Sequence, residues 1–532
     1  MWPQIAAIAA ALIAVAVGAQ QAPSLRDIPK VPSDLLARPV TLAKGIGRAH
    51  DVVGTRSRAA QDFYDQGLAY LHSYVWIEAA RSFNQALRED PTLAIAHAGL
   101  SLAYTELNDP VAARAAIERA RTLAARANDH DTRHIDARAL QMTAETGNAA
   151  ALATYRAALD AALKAFPNDA EFWLLRGNAE SPDPADRGQG SVAASIPFYD
   201  KARALAPDAD AAVHFLTHAY ENSRDTVKSA ALSEQYAKAA PSIPHAHHMY
   251  GHVLVGQGQV AGAVAEYEAA DRIERAYLAS EKIPAEYEWH HEHNLDLLGA
   301  SYAYLGRMRK AEEAFKEAFA LPTALAVQAF NKRNYPAFLT ARGRADAARV
   351  AAAALVAHPS SFARVAGYIE DARALMSAHR PKEAADASNA ALREVRSSPP
   401  AGGIAAAPFA IMQSEFLLRT NQRDRGEPML RQAVRRLRMQ TGPDSHMDTV
   451  FTLDAIAGAM RDAGVWDLAA WVAGQMVEYD RNYAGSQYAS ALALEHGGDT
   501  NGARQSFATA VRLWATADPD LPELRLAREK SR

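Results

Sequence analysis

Residues Phe63 to Pro91 read FYDQGLAYLHSYVWIEAARSFNQALREDP, and the spacing of their small and aromatic side chains decides the fold. Phe63, Gly67, Tyr70, Ala79, Phe83 and Ala86 recur 34 residues later as His97, Ser101, Tyr104, Ala113, Ile117 and Ala120. Self-similarity at such a period marks a stack of helix pairs, each unable to bury its apolar face alone. Small residues at three offsets let two antiparallel helices and the next pair approach closely, and Gly or Asn breaks the chain at the turn. The pattern returns as Gly251, Leu254, Gly258, Ala263, Tyr267 and Ala270, and again as Gly299, Tyr302, Gly306, Ala311, Phe315, Ala318 and Pro322. Weaker copies follow around Gly343 and Ala348, over Ala384 to Leu392, and at Gly498, Ala503, Phe507 and Ala510.

These offsets resemble the tetratricopeptide repeat, which implies an all-α fold, a right-handed α-solenoid of antiparallel helix pairs, over most of residues 60–515. Composition agrees: of 532 residues 49% are hydrophobic but only 8% aromatic, so the apolar surplus is aliphatic, and much of it is Ala, the strongest helix former. Ser181 to Ser195 reads as an inserted loop, and Ile273 to Trp289 lengthens one repeat with a charged stretch. Pro399-Pro400 and Gly402-Gly403 suggest a hinge at 397–407 between an N-terminal array, 60–396, and a C-terminal one, 408–532.

The N-terminus predicts export. Ile5 to Val17 is an unbroken apolar run, too short to span a bilayer but of the length of a signal-peptide core, and Val17-Gly18-Ala19 offers the small residues of a cleavage site. Residues 1–19 are therefore expected to leave a periplasmic or secreted protein, or to remain as an uncleaved anchor, and 20–59 to form a Pro-containing leader. No later stretch is apolar enough to span a membrane. The 57 Lys and Arg against 61 Asp and Glu leave no basic excess for nucleic acid. With no Cys, thiolate metal sites, iron–sulfur clusters and Cys nucleophiles are excluded, and any metal must be held by imidazole and carboxylate. There is no Gly-x-Ser-x-Gly elbow and no phosphate-binding loop, so the catalytic residues of any enzyme activity are left unassigned.

The histidines single out one segment. Nine of eighteen fall within residues 214–293, where an even spread would put about three. His214 and His218 sit 34 residues before His248 and His252, so successive first helices each carry an i,i+4 pair. At about 100° per residue, His245, His248 and His252 share a face turned away from the helix-packing stripe. His293 and Asp296 continue that face in the next repeat, and Glu221 extends it from the helix of His214. His290 and His291 cap the patch, and Arg333, one repeat further on, offers an anchor for a carboxylate or phosphate. His247 and His97 fall at packing positions.

In tetratricopeptide proteins this face lines the concave groove, so the resemblance places the cluster in an open groove over residues 210–300. The stretches Ala60 to Leu68, Glu78 to Phe83, His214 to Tyr220 and Pro244 to His252 further resemble a group of exported bacterial tetratricopeptide proteins with recurring His motifs. Tyr250 stands where those relatives have Pro, and His50 and His72 also resemble recurring positions there. The resemblance supports the pattern and implies no reaction.

Three readings follow from the cluster. The first is a transition-metal site for Zn, Cu, Fe or Ni, with His214, His218, His248, His252, His293 and Asp296 as ligands and Glu221, His245, His290, His291 and Arg333 around them, a site that could serve a metalloenzyme. The second is a groove for a protein or peptide partner, with no enzymatic role. The third is hydrogen bonding between repeats. A metal site requires imidazole nitrogens from two helices within about 5 Å of one another, with an acceptor behind the ring; a peptide groove requires histidines spread along an accessible surface.

Overall fold

The structure, a computed structural model, describes residues 30–145, 147–181, 190–323, 326–440 and 444–532. The expected signal sequence and residues 182–189 of the inserted loop lie outside the described residues. Among those described, regular structure is helical, without a strand, and no helix is long and apolar enough to cross a membrane. The chain forms an all-α array of tetratricopeptide-type helix pairs divided into two compact units. The first comprises Ile28–Gln257 with Ala265–His290, the second Gly258–Val264 with His291–Arg532.

In the first unit the pair Arg58–His72 (α1) and Trp76–Glu89 (α2) shows how the repeat closes. A Cβ added to Gly67 would stand 2.6 Å from the Phe83 ring, and one added to Gly251 would stand 2.6 Å from Tyr267. The glycine of each first helix is therefore the floor on which the aromatic of its partner lies. The turns inside the pairs keep the register too: the left-handed residues Tyr74 and Asn108 are 34 apart, as are Arg224 and Gly258. Replacing Gly67 by Val would push a branched side chain into Phe83, and overpacking of this kind costs roughly 1–3 kcal/mol. Gly67→Val is expected to lower the urea midpoint of the first unit, whereas Gly474→Ala, whose added methyl meets nothing within 4 Å, should leave stability unchanged or slightly raised.

Later helices of this unit include Asp129–Ala144 (α3), Ala170–Asn178 (α4), Ala211–Asn222 (α5), Thr226–Ala239 (α6) and Pro244–Gly256 (α7). The leader hydrogen-bonds to the repeats: Ser242 N donates to Gly45 O at 2.8 Å, and Arg48 N to Asp210 Oδ2 at 2.7 Å. The lengthened repeat takes the form of Val260–Glu281 (α8), 22 residues long. Its end returns to the first repeat, where Tyr277 donates to Glu78 at 3.0 Å and Arg81 to Glu281 at 2.8 Å. The segment after α8 thereby brings Trp289 against Tyr74, whose carbonyl accepts the indole N–H at 3.0 Å.

The second unit repeats the same packing with a different core. Phe330, Ile369, Leu375, Val395, Phe409 and Met412 form one buried cluster, and Phe507, Trp514, Leu521 and Leu524 another. The repeat read at Gly498, Ala503, Phe507 and Ala510 is the turn and buried face of Thr500–Leu513. Residues 397–407, read as a hinge, lie inside this unit. There Pro399–Ile404 is a short helix, with Ala401 and Gly402 buried and Gly402 lying against Val395.

Candidate metal centre

Helices α5 and α7 bring their histidines together on one face, and the chain just after α8 adds another. The rings of His214, His218, His245, His248, His252 and His290 are only 0–4% exposed. This corrects the expectation of an open groove. The physical reason is the return of the lengthened repeat, a contact distant in sequence, which lays aromatic rings over the cluster. Trp289 lies 5.8 Å from the His245 ring, and Tyr74 lies 4.7 Å from His214 and 4.9 Å from His245, centroid to centroid. Tyr74 reaches this position from a left-handed backbone at φ 60°, and Tyr236 stacks on His214 from below.

Within the first unit the nitrogens form two overlapping triads. Nε2 of His214 lies 3.0 Å from Nε2 of His218 and 3.1 Å from Nε2 of His245. His245 also joins His248 and His290, whose ligand nitrogens lie within 4.8 Å of one another, as they do in the first triad. Nε2 of His248 is in turn 2.9 Å from Nε2 of His252.

Proton accounting shows what these contacts mean. The His72 carbonyl lies 2.6 Å from His214 Nδ1, which must donate to it, leaving a single lone pair on Nε2. Burial pushes the pKa of His214 down to about 3, so the ring stays neutral at ordinary pH. One lone pair accepts one N–H, yet two imidazole nitrogens approach it at hydrogen-bond distance. One of them must present its own lone pair, or a cation must stand between them. Burial also holds His218 and His245 well below the usual histidine range, which removes the imidazolium solution. The second triad repeats the arrangement: His290 Nδ1 lies 3.0 Å from the Glu274 carboxylate, and its Nε2 is buried with no hydrogen-bond partner. A ring oriented through one nitrogen and bare at the other is what a metal-binding imidazole requires.

Of the expected site residues, His214, His218, His248 and His252 thus converge with His245 and His290, which sequence had placed around the ligands. Glu221 is half-buried, its carboxylate 3.9 Å from His252 Nδ1. His291, His293 and Asp296 belong to the second unit. There Asp296 accepts from Asn334 Nδ2 at 2.7 Å, and burial pushes its carboxyl up to about 7. Arg333, expected to offer an anchor to an anion, is corrected: it is ion-paired with Asp448 and lies over the Phe330 ring. His247 pairs with Glu266 at 2.7 Å, and half-buried His97 has its pKa lowered to about 4 by burial. Sequence reading missed Tyr74 and Trp289, and it missed a further group of Asp51, His130, His134 and Asp169. The i,i+4 spacing of His130 and His134, the same as that of His214 and His218, was the available signal.

No family model matches the sequence, and no curated protein matches it significantly. Among solved structures it is similar to yeast Tom70, at 12% identity and a TM-score of 0.33, over 90% of this chain and 96% of that one. It is also similar to the human IFIT1 dimer with m7Gppp-AAAA, at 11% identity and a TM-score of 0.36, over 87% and 92%. A third is the TPR domain of P58(IPK), at 11% identity and a TM-score of 0.22, over 89% and 97%. These likenesses concern the repeat fold and carry nothing about what this chain binds.

Proposed function

We propose that this chain is an exported repeat protein that holds a transition-metal ion, Zn, Cu, Fe or Ni, in the histidine cluster of α5 and α7. The observation that supports it most is the meeting of three Nε2 atoms at 3.0 and 3.1 Å around a His214 tautomer fixed by the His72 carbonyl. Metal–nitrogen bonds of about 2.0–2.1 Å at ordinary coordination angles place neighbouring nitrogens roughly 2.9–3.4 Å apart. The two separations from His214 Nε2 fall in that range before any ion draws the rings in. Three imidazoles leave a four-coordinate ion one open position, the arrangement of a Lewis-acid centre, which is where a metalloenzyme reading would begin. Burial of the histidines argues against their use as a peptide-binding surface; a partner would meet the other faces of the helix array.

Elemental analysis of the mature, untagged protein, beside the His214→Ala, His218→Ala double variant, tests the reading. A transition metal present in the wild type and reduced in the variant is the expected result; a chain that stays metal-free after addition of each of the four ions would refute it. The outer carboxylate supplies a finer check. Glu274→Gln, which frees the ring of His290, is expected to weaken binding of an ion in the second triad about 10- to 100-fold, measured by competition against a chelator of known affinity. Export rests on Ile5 to Val17 and Val17-Gly18-Ala19, and it predicts a mature chain beginning at Gln20 by intact mass.

A further inference from the structure

A second group of metal-type side chains stands in the first unit, built from elements that the histidine cluster does not use. We propose that Asp51, His130, His134 and Asp169 form an independent site for a divalent first-row transition ion such as Zn2+ or Mn2+. Their ligand atoms all lie within 4.8 Å of one another. His130 and His134 are one turn apart on α3, so both rings leave the same side of the helix. Asp169 is the N-cap of α4: its Oδ1 accepts from Phe172 N at 3.0 Å, which turns Oδ2 toward His130 Nε2 at 2.8 Å and His134 Nε2 at 3.3 Å. Asp51 comes from the leader, its Oδ1 3.2 Å from His130 Nε2 and its Oδ2 3.8 Å from His134 Nε2.

Two observations point to a ligand rather than to a closed hydrogen-bond network. First, Asp51 is 8% exposed and its Oδ2 is buried with no hydrogen-bond partner, although it faces the centre of the group. A bare buried carboxylate oxygen is costly unless a cation meets it. Second, His130 is oriented from behind. Its Nδ1 lies 3.0 Å from Asp131 Oδ1, and Asp131, 1% exposed, is itself held by Gly54 N at 2.9 Å and by its own amide on Asn128 Oδ1 at 2.7 Å. With Nδ1–H given to Asp131, a neutral ring would turn its Nε2 lone pair to the two outer carboxylates, and a cation there, a metal ion or the ring's own second proton, satisfies both sides. His134 is fixed in turn by stacking on Phe172 at 3.8 Å.

Two imidazoles and two carboxylates form a shell suited to Zn2+, Fe2+ or Mn2+, harder than the all-imidazole cluster of α5 and α7. The site joins the leader to α3 and α4, so an ion in it would tie residues near Asp51 to the repeats. The proposal stands or falls independently of the histidine cluster.

The test uses the full chain carrying His245→Ala, which breaks both triads of the histidine cluster, dialysed against Zn2+ and separately Mn2+. Retention of one equivalent, and its loss in a chain that also carries His130→Gln and His134→Gln, is the expected result. Hydrogen exchange of the peptide spanning residues 48–57 should slow on adding Zn2+ in the first chain and not in the second. Asp51→Asn, a near-isosteric change that keeps the fold, should weaken binding at least tenfold. A His245→Ala chain that retains no ion and shows no change in exchange would overturn the proposal, with protons on the two imidazoles serving as the cations instead. Equal affinity in the Asp51→Asn chain would overturn it as well.

Discussion

Replacing His245 with Ala is expected to break both triads of the first unit at once, which the loss of His214, His218, His248 or His290 alone would not do. His245 is the member common to both triads, with Nε2 3.1 Å from His214 and Nδ1 buried with no hydrogen-bond partner. Without it each triad keeps only two imidazoles. Loss of a ligand exceeds the roughly 10- to 100-fold cost of losing the group that orients one, so binding should fall by more than two orders of magnitude. Copper(II) quenching of tryptophan emission provides the readout, because Trp289 lies 5.8 Å from the His245 ring and stacks on Trp76 at 5.0 Å. The quench at stoichiometric copper should disappear in His245→Ala and persist in His247→Ala. His247 sits on the same helix but pairs with Glu266 away from the cluster. A quench that survives in both variants would place the ion elsewhere.

The second large effect is acid lability of the metal-free chain. His214 titrates at about 3 in the fold because it is buried, and His218 and His245 are lowered well below 6.5 for the same reason. Released from the fold, each takes up a proton near 6.5. Between the folded and unfolded values the unfolded chain binds more protons, so stability falls as pH falls. It is complete above about 6.5 and falls as pH drops below that value, by at most about 1.4 kcal/mol per pH unit for each ring. His130 works in a different window. Burial opposes its charge, but hydrogen bonds to Asp131, Asp169 and Asp51 outweigh that and push it up to about 12. Its stabilisation is full below 6.5 and fades only as pH rises toward 12, so it does not offset the acid slope. Urea midpoints of the first unit measured from pH 7.5 to 5 should therefore fall steeply. His218→Gln should make the slope shallower, and a midpoint flat across that range would contradict the neutral, buried cluster.

Much of this was legible in the sequence because it depends on local period. The 34-residue register located the helix pairs, the Gly67–Phe83 and Gly251–Tyr267 contacts that close them, and the face carrying His214, His218, His248 and His252. Periodicity says nothing about contacts between distant repeats. The return of α8 to Glu78 and Arg81, which sets Trp289 over the histidines, was therefore out of reach, and an open groove was expected where a buried cluster exists. The same limit hid the second group. Asp51 lies in the segment 20–59, read only as a Pro-containing leader, and Asp169 looks in sequence like any helix N-cap. Only folding shows that both meet the i,i+4 pair of His130 and His134. His245, placed around the expected ligands, has the ring common to both triads.

The central claim is that a metal ion belongs among three imidazole nitrogens. The most direct measurement is an anomalous difference map from crystals of the mature chain grown with Zn2+, collected on both sides of the zinc absorption edge. The account predicts a peak about 2.0–2.1 Å from Nε2 of His214, His218 and His245. Well-ordered rings with no anomalous peak between them, in crystals from zinc-saturated protein, would contradict it.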